Sequence, residues 1–404
     1  MAGQQQEMTK TLDNIIRFAE DTAQVWVQEI KHVCKDEGAI LFLIFVPLLY
    51  PLLYSWIYNN EVTREVPVAV VDLSHSHESR EFIRHCDATP DISVACHCNS
   101  LEEAKSLVGR GKVMGVILMP EDYALKIGRM EQAHVSVYCN TALMLAYKAI
   151  FQACNAVAAD TGAKIQTRLA GNTTSREDEL TTRPMTVEEI AMFNTTGGYG
   201  NFILPAVLML IVQQVLLLGI GLNYGRRYER HGFAPLRPLL DRPAGLTCVM
   251  TGRTLCYFTL TLPLLSWTAL AVPSLFGFVQ TIHMRDFITL AVPYLLSCIL
   301  IAITFSYAVR QRENVMLLVV FTSVPLLFLS GISWPQSNVP QLWRWVSWLF
   351  PSTFGIQGFV KLNSMGAVAA DISSETRSLW MQCLLYAATA TIVTWRQIMT
   401  WGKA

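Results

Sequence analysis

The sequence predicts a polytopic α-helical membrane protein. It has six transmembrane helices, a re-entrant helical turn between the fifth and sixth, and an α/β extracytoplasmic domain between the first and second. Three observations predict this. Six apolar runs, at residues 39–58, 202–222, 254–275, 287–309, 315–329 and 379–394, contain no Lys, Arg, Asp or Glu. A hydrocarbon core of about 30 Å takes about 20 helical residues to cross, and most of these runs meet that length. Residues 59–200 instead alternate short strand and helix patterns, and residues 328–351, FLSGISWPQSNVPQLWRWVSWLFP, pack Trp, Pro and Gly into one stretch. Composition agrees: of 404 residues 52% are hydrophobic and 15% charged, where soluble domains are about a quarter charged. Formal net charge is zero, so bulk charge points to no nucleic-acid partner.

Residues 1–38 precede the first span. Leu12, Ile15, Ile16, Ala19, Ala23, Trp26, Val27, Ile30 and Val33 recur at helical spacing, with Asp13, Glu20, Asp21, Gln28 and Glu29 on the other face. The pattern predicts an amphipathic helix on the cytoplasmic membrane surface or packed on the protein's own core. The run 39–58 lies behind more than thirty polar-rich residues and has no small-residue cleavage site after it, so it reads as an uncleaved first span.

Orientation follows from Lys and Arg in short loops. The loop 223–253 carries six arginines, Arg226, Arg227, Arg230, Arg237, Arg242 and Arg253; Arg310 and Arg312 follow the fourth span, and Arg396 and Lys403 the sixth. Placing these inside puts both termini in the cytoplasm and residues 59–200 outside, since long domains escape the charge rule.

Within the insert, 66–72 (VPVAVVD), 92–96, 112–119 and 133–138 read as strands. Residues 76–86, 100–108 and 141–169 read as helices, the second opened by a Ser100–Glu103 capping pattern. The alternation implies a largely parallel small sheet. Residues 171–183 read as a loop. His75, His77, His85, Cys86, Cys96, His97 and Cys98 fit no standard zinc spacing, so no metal site is expected. In an oxidising compartment Cys86 could bridge to Cys96 or Cys98, while Cys139 and Cys154 also lie in this segment.

In the second span Gln213 and Gln214 interrupt an apolar helix. Such groups face a cavity or a partner helix, so they line a substrate path or hydrogen-bond across a dimer seam. The segment 330–366 turns at Gly331 and at Trp334-Pro335, and its tryptophans suit a membrane–water interface. Residues 201–404 thus hold the second to sixth spans.

No P-loop, His-Glu-x-x-His or nucleophile elbow occurs, so the chain is not expected to be an enzyme or to hydrolyse ATP itself. The order of motifs carries the resemblance. Glu229-Arg230-His231-Gly232 is followed by residues 235–240, Pro243 and Gly252-Arg253; the later Leu-Ser-Gly, Trp-Pro and Pro340 stand between the fifth and sixth spans; VAVVD and GKVMGVILMPEDY lie in the insert. Together they resemble the type-2 ABC exporter permeases over nearly the whole chain.

That resemblance implies a coupling helix within residues 225–240 that docks on a separate cytoplasmic ABC ATPase, with Glu229, Arg230, Arg226 and Arg227 pairing to it and Gly232 forming the turn. It implies a substrate path or gate formed by Gln213, Gln214, Phe328, Gly331, Trp334, Pro335, Phe350 and Phe354. His231 departs from the charged residue usual after Glu-Arg. The chain itself would bind no cofactor; ATP and Mg would sit on the partner ATPase. The resemblance further implies a second copy or a paralogous permease and a bacterial inner-membrane location; the aromatic and small residues Phe328, Gly331, Trp334, Phe350 and Phe354 suit an apolar or amphipathic substrate, multidrug efflux among the cases. A periplasmic adaptor and outer-membrane channel are further partners it allows. Read without the resemblance, the arginines fix topology and bind anionic membrane lipid. A receptor with an external α/β ligand-binding domain is the alternative, and it predicts a cytoplasmic output domain.

Overall fold

The computed structural model describes residues 2–60, 62–171, 174–183, 185, 190, 192–194, 197–229, 236–242, 244–306 and 311–401, with side chains from residue 14 to residue 400. It divides into two compact units, Val62–Ile190 and the remainder of the chain.

The larger unit opens with α1 (Ala2–Cys34) and α2 (Glu37–Tyr58). Asp36 separates them and caps α2, its carboxylate accepting from the amides of Gly38 and Ala39 at 3.1 and 3.4 Å. Pro51 has no N–H to offer the Pro47 carbonyl, and in an apolar surrounding that carbonyl needs another donor. Thr268 Oγ1 supplies it at 3.2 Å.

The smaller unit is a four-stranded sheet, β1 (Val66–Asp72), β2 (Ile92–His97), β3 (Gly115–Met119) and β4 (Ser136–Cys139), in the order β2-β1-β3-β4. Its helices are α3 (His77–Asp87), α4 (Leu101–Gly109), α5 (Tyr123–Gly128), α6 (Met144–Ala170) and α7 (Ser175–Thr182). β1 runs parallel to β2 and β3, and β4 closes one edge antiparallel. Alternate residues of β1 feed opposite faces. Val68 and Val70 pack with Phe82 and Ile150, while Ala69 and Val71 pack with Ala104 and Val116. The stretch read as a loop at 171–183 holds α7, because Thr174 and Glu177 form a capping box. Cys86 lies on the Val68 face beside Cys154, and Cys98 on the Ala69 face, so the sheet stands between Cys86 and Cys98 and a bridge there is excluded. The contact with Cys154, together with burial, pushes the Cys86 thiol far above its ordinary range.

The larger unit resumes with α8 (Tyr199–Glu229), α9 (Arg237–Leu240), α10 (Gly245–Leu275), α11 (Met284–Phe305), α12 (Arg312–Leu329), α13 (Gln341–Ser347), α14 (Pro351–Ser364) and α15 (Ser373–Trp401). α8 is central and packs against α2, α11, α12 and α14; α1 lies along α10, and α15 along α11. Among the described residues five helices, α2, α8, α10, α11 and α12, are long and apolar enough to cross a membrane. The sixth apolar run lies in α15, which is long enough, but Gln382, Thr389 and Thr391 leave it outside those five. The stretch 223–229, read as loop, continues α8, and 245–253 begins α10.

Candidate functional site

Two polar constructions stand at the two ends of α12; the first takes in the end of α8 and the second its midpoint at Gln213. The first gathers the arginines. Glu29 of α1 is 2% exposed and accepts from Arg227 Nη2 at 2.5 Å and Tyr257 Oη at 3.0 Å, with Arg253 Nε at 3.7 Å and Asn223 Nδ2 at 3.3 Å. The Arg253 guanidinium also lies 5.0 Å from the Tyr224 ring centroid. Burial alone would push the Glu29 carboxyl up, but Arg227, Arg253 and the Tyr257 hydroxyl hold it below the ordinary glutamate range. One turn beyond Val33, buried Asp36 meets Arg312 Nη2 at 2.8 Å and Arg226 Nη1 at 3.5 Å, and Arg226 also donates to the Lys35 carbonyl at 2.7 Å. Gly252 permits this assembly: a Cβ there would lie 2.8 Å from the Thr22 carbonyl oxygen and from Val25.

This placement corrects the reading of α1. Glu29 was expected on the polar face, yet it is inside, while Ile15 and Ile16 are exposed. The buried stripe is Val25, Glu29, Val33 and Asp36, at spacings of four, four and three. Two acids on that stripe were the available signal. Arg227 is likewise turned inward, with a side chain 6% exposed and committed to Glu29, so it has no surface to offer a partner. Arg226 is partly exposed, and Glu229 is half exposed, 3.9 Å from Arg312. Arg230 and Gly232 lie outside the described residues.

The second construction is the irregular stretch between α12 and α14. Gly331 adopts φ +92°, a region in which side chains are strained, and turns the chain into a 3₁₀ turn at Gln336–Asn338. Backbone groups freed there need donors and acceptors from elsewhere. Arg344 Nη2 donates to the carbonyls of Gln336, Ser337 and Val339 at 2.9, 3.3 and 3.3 Å. Gln357 Nε2 reaches the Ser330 carbonyl at 3.0 Å, Gln382 Nε2 the Trp348 carbonyl at 2.7 Å, and Tyr386 Oη the Leu349 carbonyl. Pro351 opens α14, and the next amide, Ser352 N, donates to Gln213 Oε1 of α8 at 2.7 Å. Gln213 is thus a cap supplied by a neighbouring helix.

The structure therefore joins Gln213 to the turn that follows Phe350, and Phe350 and Phe354 pack half-buried on the main core. Phe328 and Trp334 are exposed, with Pro335 beside Trp334 at the start of the 3₁₀ turn. Gln214 is buried, and neither of its amide atoms has a hydrogen-bond partner among the described residues. This contrast is testable. Gln213→Leu leaves the Ser352 amide unsatisfied and is expected to cost about 1–3 kcal/mol. Gln214→Leu loses no bond and is expected to be neutral or stabilising. Thermal melting of the two variants in detergent checks this; equal losses would contradict the assignment.

Among the described residues no group of three or more His, Cys, Asp or Glu could hold a metal ion. The sequence model of the ABC-2 family transporter proteins matches residues 38–392. The chain belongs to that family. It is a multi-pass membrane protein and an ABC transporter permease. ABC-2 permeases are membrane subunits without an ATPase domain of their own, and they work with an ABC ATPase subunit. A comparison with individual curated proteins returns no match.

Proposed function

We propose that this permease is the transmembrane half of an exporter that moves an apolar or amphipathic substrate outward across the bacterial inner membrane. The observation that carries the reading is that α8 holds both constructions. Arg226 and Arg227 at its end enter the α1 knot, and Gln213, fourteen residues earlier and about 21 Å away along the axis, caps α14. A push on residues 226–240 moves α1, α8 and the starts of α10 and α12 together, because Glu29 and Asp36 tie all four. The same α8 then shifts the start of α14.

In this reading α15 is the sixth span, and α14, fourteen residues or about 21 Å long, is too short to cross and serves as the re-entrant element. Both termini are cytoplasmic, and Val62–Ile190 lies outside. Glu229, Arg226, Arg230 and Gly232 meet the ATPase, which binds the ATP and Mg; Arg227 is removed from that set. Phe328, Gly331, Trp334, Pro335, Phe350 and Phe354 shape the exit, between this chain and a second copy or a paralogue. A periplasmic adaptor and outer-membrane channel would extend the path in a two-membrane host, and multidrug efflux is one such activity.

The test is copurification with an ABC ATPase followed by hydrolysis assays. We expect a stable complex whose ATP hydrolysis rises with amphipathic substrate, and Glu229→Lys is expected to weaken that complex. A chain that purifies alone and binds a small ligand on Val62–Ile190 would overturn the reading.

A further inference from the structure

A groove of about 500 Å³ runs between α10, α11 and α15. Met250 to Phe258 of α10 and Val292 to Leu300 of α11 form its walls, Thr391 of α15 lines its side, and Thr22 of α1 stands at one end. No residue of α8, α12, α13 or α14 lines it, so it is separate from the stretch around Gly331; at Thr22 it borders the α1–α10 contact that Gly252 permits.

Its chemistry is selective by omission. No titratable side chain lines it, and its polar groups are threonine hydroxyls. Two of these are already spent within their helices, Thr251 on the Thr247 carbonyl at 2.6 Å and Thr391 on the Ala387 carbonyl at 2.6 Å. A polar ligand would find little to replace its water. Each wall spans nine residues, about 12 Å along the helix, close to the depth of one leaflet of a roughly 30 Å core.

The end at Thr22 has the features of a headgroup level. α1 exposes Ile15, Phe18 and Val27 there, as a surface-lying helix does. Trp395, one turn beyond Thr391, is 46% exposed.

We propose that this groove holds one acyl chain of a glycerophospholipid from the leaflet that α1 borders, as a resident lipid outside the transport path. The proposal needs α15 to be a span; it does not need the direction of transport. The occupant seals α1 against α10 and α11 where protein contact is incomplete.

The experiment is native mass spectrometry of the full chain taken from vesicles of phosphatidylethanolamine and phosphatidylglycerol into mild detergent. We expect one retained phospholipid per chain. Leu296→Trp, which fills the groove midway, is expected to lose it, and Leu296→Ala to keep it. Retention of the lipid by a folded Leu296→Trp protein overturns the site. Should that variant fail to fold, a fluorophore on Thr254→Cys reads the same groove. Quenching by spin-labelled phospholipid supports the proposal. Absence of quenching, disulfide cross-linking between two chains at that cysteine, or displacement of the lipid by an amphipathic transport probe overturns it. The last outcome would leave export intact and reassign the groove to substrate.

Discussion

Glu29→Ala is expected to be the most destabilising single change in the larger unit. It removes the carboxylate that accepts from Arg227 and lies 3.7 Å from Arg253, whose side chains are 6% and 0% exposed. Breaking a buried pair by deleting one partner costs about 3–5 kcal/mol, because Arg227 stays buried without the carboxylate it donates to. That is a large share of the roughly 5–15 kcal/mol that holds a domain together. The expected readout is a steep fall in detergent melting temperature and loss of α1 packing, seen as faster proteolysis before residue 36. Glu29→Ala combined with Arg227→Met should recover part of the loss, since it removes a charge with its partner. A melting curve for Glu29→Ala that overlays the native one would sink the argument.

The pH dependence of this contribution has a definite sign. The folded Glu29 carboxyl is held below the ordinary range. Its stabilisation is therefore complete above the unfolded value, about 4.3, and is lost as pH falls through the lowered folded value. The protein should lose nothing from this group between neutral pH and mild acid, and Glu29→Gln should flatten the steep loss at lower pH. A loss of melting temperature beginning near neutrality and abolished by Glu29→Gln would contradict the assigned direction.

The long apolar helices were legible because apolarity over a length near twenty residues has few other uses, and α2, α8, α10 and α11 follow it closely. β1 was legible to the residue, since VPVAVVD follows Arg64-Glu65, closes on Asp72 and is buried on both faces. Glu29 was not. An acid at the edge of an apolar stripe looks solvated until its partners, nearly two hundred residues away in Arg227 and more in Arg253, are known. Gln213 was visible as an anomaly, but its task depends on Pro351 starting a helix at the right place in space. β4 reads as a strand from its alternation, whereas its antiparallel direction follows from the chain path between β3 and α6. Local pattern thus revealed elements, and long-range pairing decided roles.

Gly331→Val is expected to abolish transport while leaving assembly with the ATPase intact. Valine at φ +92° is strained by about 1–3 kcal/mol, since its branched Cβ meets the backbone. That Cβ would also lie 2.8 Å from Gln336 Cγ. Gln336 must turn its side chain about χ1 to clear that contact, while its carbonyl stays held by Arg344 at 2.9 Å together with those of Ser337 and Val339. The backbone strain at position 331 then falls on the turn that this three-carbonyl clamp fixes and loosens the approach to α14. Strain of that size is small against the roughly 5–15 kcal/mol that holds a domain together, so the chain still folds and assembles, while the distorted turn no longer shapes the exit and transport is lost. The measurement is uptake of an amphipathic fluorescent probe into inverted vesicles, paired with copurification of the ATPase. Arg344→Gln frees the same carbonyls without touching Gly331, so both variants should share one phenotype. Native transport in Gly331→Val, with Arg344→Gln impaired, would separate the turn from the gate and leave the clamp as a structural support alone.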